Sequence, residues 1–205
     1  TPDHSSMTNT RKRLPEEVFD EVIQFVLGIA AEKSLLSGKT VGVDSTTLEA
    51  NAAMKAIIRR DTGEDWKEYV TRLMREEGVI DEDDEPNDEE LRRYDKKRKN
   101  KKVSNDEWVS STDPDSRITQ MKDGRTHLAY KAEHVVDLES DLITAAEIRQ
   151  ADEADTQTMV DSLAETQANQ QQAGCEQEIE EVAADKGYHS AENLELSQSL
   201  GLRTY

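Results

Sequence analysis

Two short segments of this chain, far apart in the sequence, each run into an aspartate, and together they limit the folds that the chain can adopt. Lys39–Thr46 has two valines on one face of a predicted strand that ends at Asp44. Ile179–Tyr188 is similar, because a predicted strand ends at Asp185 and is followed by Lys-Gly-Tyr, which breaks the strand. Two strand-end aspartates lie side by side when their strands are parallel neighbours. A divalent-metal site is built from such a pair.

The order of the predicted elements makes these two strands neighbours. After the first strand and a long insertion, the predicted elements are a strand 126–138 with one buried face, an antiparallel strand 142–148, a helix capped by Asp155, the strand before Asp185, a helix capped by Ser190 with Leu194 and Leu200 inward, and a short strand from Leu202. Without the insertion this is the RNase-H-like order, in which the first and fourth strands are adjacent. The predicted fold class is α/β, an RNase-H-like mixed sheet flanked by helices, with a helical and charged insertion after the first strand.

Residues 1–38 are predicted to be an N-terminal helical segment, before an RNase-H-like domain 39–205. Pro15 suits a first helical position. Five apolar residues then recur at helical spacing, which predicts an amphipathic helix over Pro15–Lys33: Val18, Val22, Phe25, Val26 and Ile29.

The insertion, at about 47–112, combines predicted helices with long runs of one charge. Thr47–Arg60 is rich in alanine and predicts one helix, and Glu64–Glu77 predicts a second. An acidic run, Asp81–Glu90, precedes a basic run, Arg92–Lys102, and like-charge runs are typically solvated or disordered. The hypothesis of phosphate contacts, against the alternative of a mobile loop neutralised by its acidic neighbour, concerns Lys96, Lys97, Arg98, Lys99, Lys101 and Lys102.

Charge and composition exclude several classes of protein. The formal net charge is −19, which argues against nucleic-acid binding by the whole surface, so DNA contact requires local basic patches or metal ions. Cys175 is the only cysteine, which excludes an internal disulfide and a thiolate metal cage. No apolar run is long enough to span a membrane and Thr1–Arg13 lacks signal-peptide character, so the expected location is cytoplasmic.

Four motifs, in this order and spacing, resemble the DDE transposases of bacterial insertion sequences. They are Val-Asp-Ser-Thr-Thr-Leu-Glu-Ala-Asn-Ala-Ala-Met (43–54), Asp-Pro-Asp-Ser-Arg-Ile (113–118), Met-Lys-Asp-Gly-Arg-Thr-His-Leu-Ala-Tyr-Lys-Ala-Glu-His (121–134) and Ala-Asp-Lys-Gly-Tyr-His-Ser (184–190). The resemblance covers essentially the whole chain. It implies an RNase-H-like catalytic domain with two divalent ions (Mg²⁺ or Mn²⁺). It also implies cleavage and strand transfer of double-stranded DNA, and a homodimer of the complete protein.

Residue by residue, the resemblance makes Asp44 the first acidic residue of the catalytic triad and Asp185 the second. The third, a glutamate on a later helix, has no counterpart before Tyr205, so the chain is expected to be a C-terminally truncated fragment that is inactive alone. Glu192 and Glu195 follow Asp185 on a predicted helix, where a glutamate is ordinarily solvated.

The chemistry explains why carboxylates are needed. Two hard cations roughly 4 Å apart activate the attacking oxygen and stabilise the leaving oxygen of a phosphodiester, and Mg²⁺ prefers oxygen ligands. Lys131 and Lys186 are further candidates for phosphate contact, although each is more typical of a surface lysine. The histidine spacing matches no zinc pattern. Asp113 and Asp115 flank a proline and predict a turn. Two alternatives stay open, an inactive remnant or acidic protein-interaction module and another RNase-H-like nuclease.

Overall fold

The computed structural model describes residues 4–15, 17–99 and 103–205, which divide into two compact units. The first unit contains the described residues up to Thr46, with Ala132–Ile148 and Glu153–Tyr205. The second contains the described residues of Thr47–Lys131, with Arg149–Asp152. The predicted division into residues 1–38, 39–205 and an insertion at 47–112 stays a prediction.

The chain contains both helices and strands, which alternate singly only from Asp155 onwards. In order they are α1 (His4–Arg11), α2 (Glu17–Glu32), β1 (Thr40–Glu49), β2 (Ile57–Arg59), α3 (Trp66–Glu76), α4 (Asp88–Lys97), β3 (Trp108–Ser110), β4 (Arg117–Gln120), β5 (Thr126–Asp137), β6 (Leu142–Gln150), α5 (Asp155–Gln172), β7 (Glu181–Ala184), α6 (Ala191–Ser199) and β8 (Arg203–Thr204). Two short 3-10 helices, Met54–Ala56 and Lys186–Tyr188, accompany them. None of the described helices has the length and apolar character needed to cross a membrane.

The larger sheet is mixed and has the predicted topology. Its strand order is β4-β5-β1-β7-β8, and β6 pairs with β5. β1 and β7 are parallel, with Thr40 opposite Glu181 and Val43 opposite Ala184. β8 continues the parallel part, and β4 pairs antiparallel with the start of β5. The prediction of an RNase-H-like mixed sheet flanked by helices is therefore confirmed.

The core of the first unit differs from the prediction in how β5 and α5 are buried. Val41, Val43 and Val182 bring β1 and β7 into one cluster with Met159 and Leu163 of α5. Strand β5 was expected to bury a single face, but both sets of alternating residues are largely buried. The hydrophobic pattern of the sequence does not predict this burial, because several of the buried side chains on β5 and α5 are polar. They are Glu133, Asp137, Thr158, Ser162, Thr166 and Gln170.

Of three predicted details of the helices in this unit, two are wrong and one is confirmed. The N-cap of α5 is Ala154, so Asp155 is its first helical residue and not its cap. Ser190 caps α6 as predicted, with its side chain accepting a hydrogen bond from the Asn193 amide. However, Leu194 and Leu200, which were expected to face inward, are exposed. Asn193 and Ser197 are buried in their place, so the inward face of α6 is polar.

Helix α2 forms where the sequence predicts a helix, but its predicted apolar stripe is largely exposed. Phe25 has 69% of its surface exposed, whereas Leu27 and Ala30 pack against Leu36 in a buried cluster. The helix has apolar residues around most of its circumference. Periodicity therefore identifies the helix without deciding which face is buried.

In the second unit, the predicted alanine-rich helix over Thr47–Arg60 is wrong. β1 continues to Glu49, and after a 3-10 helix the chain forms β2, which pairs antiparallel with β3. Ala50 and Ile57 are buried beside Trp108 in a cluster of this unit. Alanine has a high helix propensity, but its energy per residue is small, so burial in tertiary contacts outweighs it.

The charged runs contain an ordered helix, which the sequence analysis did not predict. Asn87 begins α4 with a capping box, in which its side chain accepts from the Glu90 amide and the Glu90 side chain accepts from the Asn87 amide. Acidic residues occupy the first turn and basic residues the last, which is the order that the helix dipole favours. Leu91 packs against Val70 and Met74 of α3. The expectation of a mobile loop is therefore wrong for Lys96 and Lys97.

Candidate active site

The pairing of β1 with β7 determines where the two predicted aspartates lie. In the parallel register Val43 is opposite Ala184, and the next residues along the two strands are Asp44 and Asp185. Both aspartates are exposed. Asp185 follows the last residue of β7, whereas Asp44 lies inside β1, which continues to Glu49, so the predicted end of the first strand at Asp44 is wrong. The two aspartates nevertheless occupy the next positions after the last paired residues of β1 and β7, so the predicted neighbourhood of the two positions is present.

The Asp185 carboxylate is held by the turn that follows it. Its Oδ1 accepts a hydrogen bond from the Gly187 amide at 2.6 Å, which caps the 3-10 helix Lys186–Tyr188. A Cβ atom at Gly187 would lie 2.7 Å from Asp155 Oδ2 and 2.8 Å from Asp185 Oδ1. A larger residue at this position would therefore force one or both carboxylates to move.

Asp155 brings a third carboxylate to this edge. Ser45 connects it to the first predicted aspartate, because its amide donates to Asp44 Oδ1 at 2.8 Å and its hydroxyl donates to Asp155 Oδ1 at 3.1 Å. The sequence analysis assigned Asp155 only to helix capping. Ser45 and Asp155 are 110 residues apart in the sequence, so no local pattern predicts that they form a hydrogen bond.

The donors at this edge fit hard divalent ions. Carboxylate oxygens are the ligands that Mg²⁺ and Mn²⁺ prefer, and Mg²⁺ keeps several waters when one or two carboxylates bind it. Within the described ranges, no three Asp, Glu, His or Cys side chains are arranged to hold a metal ion. The donor chemistry at this edge therefore suits such an ion, and the roles of Asp44 and Asp185 as metal ligands stay a prediction.

Buried polar groups lie behind the edge, and sequence reasoning missed them. Tyr188 packs in the core, and its hydroxyl donates to Glu133 Oε2 at 3.0 Å. Burial, above all, raises the pKa of the Tyr188 phenol, and the negative charge of Glu133 also raises it. The phenol therefore stays protonated and remains a donor at neutral pH. A glutamate at an alternating strand position gave no signal that it would be buried.

The predicted basic residues are not equally available to DNA. Lys186 is exposed and follows Asp185 directly. Lys96, Lys97 and Lys99 are also exposed, in the second unit. Lys101 and Lys102 lie outside the described residues.

Two of the proposed DNA contacts are contradicted by their surroundings. Lys131 has only 5% of its surface exposed, so little of it is available to a phosphate. Arg98 has a side chain that is 16% exposed, and its guanidinium donates to Asp95 Oδ1 at 2.9 and 2.6 Å. The Arg98 guanidinium is therefore already paired with a buried carboxylate and is less available to a phosphate.

Other polar side chains of the second unit contact one another. His127 lies between Glu49 and Asp123 in the second unit, with ring nitrogen to carboxylate distances of 2.8 and 3.2 Å. The turn predicted around Pro114 is present, because the Ser116 amide donates to the Asp113 carbonyl. Tyr130 donates its hydroxyl proton to the Asp113 carboxylate at 2.5 Å.

The comparison with known families agrees with this geometry. Residues 43–204 match the family model of the transposase DDE domain. The chain belongs to this family. The matched residues of the transposase DDE domain include Asp44, Asp185 and the whole segment between them, so the resemblance predicted from four motifs is confirmed. No curated protein matches the chain.

Proposed function

We propose that this transposase DDE domain takes part in metal-dependent DNA cleavage and strand transfer at the ends of an insertion sequence. In this proposal Asp44 and Asp185 are two of the metal ligands. Membership of the family supports DNA transposition as the general function. The observation that carries the specific proposal is the parallel register of β1 and β7, in which the two aspartates follow paired residues.

The protein side chains have to bind divalent ions and leave space for DNA. When Mg²⁺ or Mn²⁺ is bound, it activates the attacking oxygen and stabilises the leaving oxygen. Asp44 within β1 and Asp185 directly after β7 provide short carboxylates, and the pairing of the two strands restricts their movement. Their exposure leaves room for a phosphodiester, and the exposed Lys186 provides a positive charge beside Asp185 for phosphate.

Double-stranded DNA is the proposed partner of this domain. With a net charge of −19, attraction to phosphate has to come from local lysines and from bound cations. Lys96, Lys97, Lys99 and Lys186 are the exposed candidates that remain. A homodimer of the complete protein is part of the proposal, and sedimentation of the transposase with and without DNA ends tests it.

Strand cleavage tests the assignment of the two aspartates. In the complete transposase, we expect Asp44→Asn and Asp185→Asn each to abolish cleavage of DNA that carries the element ends, because the amide keeps the shape and removes the negative charge. Glu192→Gln and Glu195→Gln are matched controls, since both glutamates are exposed on α6, and they are expected to retain cleavage. Cleavage that survives either aspartate change would contradict the proposal.

A further inference from the structure

A buried carboxylate of the first unit contacts Tyr188, next to the Asp185 turn, and has no part in the proposed chemistry. Glu133 is 1% exposed, on β5. Its Oε2 accepts hydrogen bonds from Thr158 Oγ1 at 2.6 Å and from Tyr188 Oη at 3.0 Å, and its Oε1 accepts from Ser162 Oγ. Burial of a carboxylate is unfavourable unless donors replace the water that it gives up. Three hydroxyl groups provide that compensation here.

Tyr188 connects this carboxylate to the turn that holds Asp185. Its side chain is anchored at the hydroxyl by Glu133, and its carbonyl oxygen accepts a hydrogen bond from Asn193 Nδ2 at 2.9 Å. The same Asn193 nitrogen donates to the Thr156 carbonyl at 3.0 Å. Tyr188 is therefore fixed at both its side chain and its backbone.

The position of the Asp185 carboxylate depends on the residues between it and Tyr188. The Gly187 amide, one residue before Tyr188, donates to Asp185 Oδ1 at 2.6 Å. A shift of Tyr188 moves the Gly187 amide, and the hydrogen bond that orients the Asp185 carboxylate is then lost. Outer groups that orient a ligand in this way typically change metal affinity by about 10- to 100-fold when they are removed.

We propose that Glu133 and Tyr188 are positioning residues that hold the Asp185 carboxylate in the orientation in which it binds a divalent ion. The proposal rests on the proposed function, because it assumes that Asp185 is a metal ligand. Glu133 acts through Tyr188 and touches no reacting group. Its contacts with Thr158 and Ser162 fix α5 to β5 by the same carboxylate.

The test uses the 205-residue chain and two variants that each remove one buried hydroxyl. Tyr188→Phe removes the donor to Glu133 and keeps the ring in the core. Thr144→Val is the matched control, because the fully buried Thr144 hydroxyl donates to the Val135 carbonyl at 3.1 Å, away from the Asp185 turn. Calorimetry measures the Mn²⁺ affinity, and amide hydrogen exchange at Gly187 reports on the carboxylate without metal.

We expect Tyr188→Phe to weaken Mn²⁺ binding about tenfold and to speed exchange at the Gly187 amide. Thr144→Val is expected to leave both values unchanged. Glu133→Gln is a second variant that keeps the side-chain shape and presents an NH₂ group to hydroxyl donors, and it is expected to weaken Mn²⁺ binding in the same direction.

The outcomes separate this inference from the proposed function. If Mn²⁺ binds through Asp44 and Asp185 but Tyr188→Phe behaves like Thr144→Val in both measurements, the positioning role is overturned. The role is also overturned if Gly187 exchange changes while Mn²⁺ affinity does not. If Asp44→Asn and Asp185→Asn leave Mn²⁺ binding intact, the proposed function fails and this inference fails with it.

Discussion

His127 is a side chain whose ionisation is coupled to folding. Its pKa is raised, first by the hydrogen bond with Glu49 and also by the bond with Asp123, while burial acts in the opposite direction. The folded pKa therefore lies above the unfolded value of about 6.5. The stabilisation is fully present below the unfolded pKa and disappears as the pH rises through the folded pKa.

This coupling predicts a pH dependence of stability. The free energy of unfolding of the unaltered chain is expected to fall as the pH rises from about 6 to above 7. His127→Gln is expected to show a smaller fall over the same window. Urea unfolding at several pH values measures both, and His134→Gln is the control for a second histidine on β5. Curves for His127→Gln and the unaltered chain that run parallel would rule out the coupling.

Single residues differ in how well their roles can be predicted from sequence. Asp44 and Asp185 were identified because each follows a short β-branched or apolar run, a local pattern that survives folding. Lys131, Glu133 and Arg98 could not be placed in this way. Whether a charged side chain is exposed or buried depends on partners distant in sequence, and a residue's own neighbours do not reveal those partners.

At the scale of elements, α4 shows how a charge run becomes an ordered helix. The basic residues at its end are not equivalent, because Arg98 is paired with the buried Asp95 whereas Lys99 is exposed. The Arg98 guanidinium also lies 5.4 Å from the centre of the Tyr69 ring. Arg98 therefore ties the C-terminal end of the helix to the interior of the second unit.

This difference gives a prediction for stability. Arg98→Ala is expected to lower the free energy of unfolding by about 2 kcal/mol, because it removes charged hydrogen bonds from a buried carboxylate. Lys99→Ala is the matched control, and a change within about 0.5 kcal/mol is expected there. Urea unfolding of both variants provides the comparison. Equal effects would mean that the Arg98–Asp95 pair adds nothing to stability.

Element types were predictable where local signals agreed, and not where they conflicted. α3 formed within the predicted helix Glu64–Glu77, and α6 formed after the predicted cap Ser190. Thr47–Arg60 became strand and turn because its apolar residues are buried with Trp108. The buried faces of α2 and β5 could not be derived from periodicity, since both elements carry apolar residues on more than one face.

At the scale of the whole molecule, the topology could be predicted although much of the packing could not. Strand order is restricted by the order of helices and strands along the chain, because consecutive elements usually lie next to each other. The hydrophobic pattern of the sequence reveals that order. The net charge of −19 then restricts DNA binding to local features. The exposed lysines near the end of α4 are one such feature.

Salt dependence tests whether these lysines bind DNA. The triple change of Lys96, Lys97 and Lys99 to glutamine is expected to weaken binding. It is also expected to reduce the slope of log affinity against log salt by about 0.9 for each phosphate that these lysines neutralise. The same change at Lys33, Lys55 and Lys122 is a control with equal net charge, since these lysines are exposed elsewhere. If both triple variants behave alike, only the overall charge matters.

The central claim is that Asp44 and Asp185 together bind a divalent ion, and the most direct measurement is Mn²⁺ binding by calorimetry. The unaltered chain is compared with the double variant Asp44→Asn and Asp185→Asn, with Glu192→Gln and Glu195→Gln as the control pair. We expect Mn²⁺ binding that the aspartate double variant loses and the control pair retains. Equal Mn²⁺ affinity in the unaltered chain and the aspartate double variant would contradict the claim.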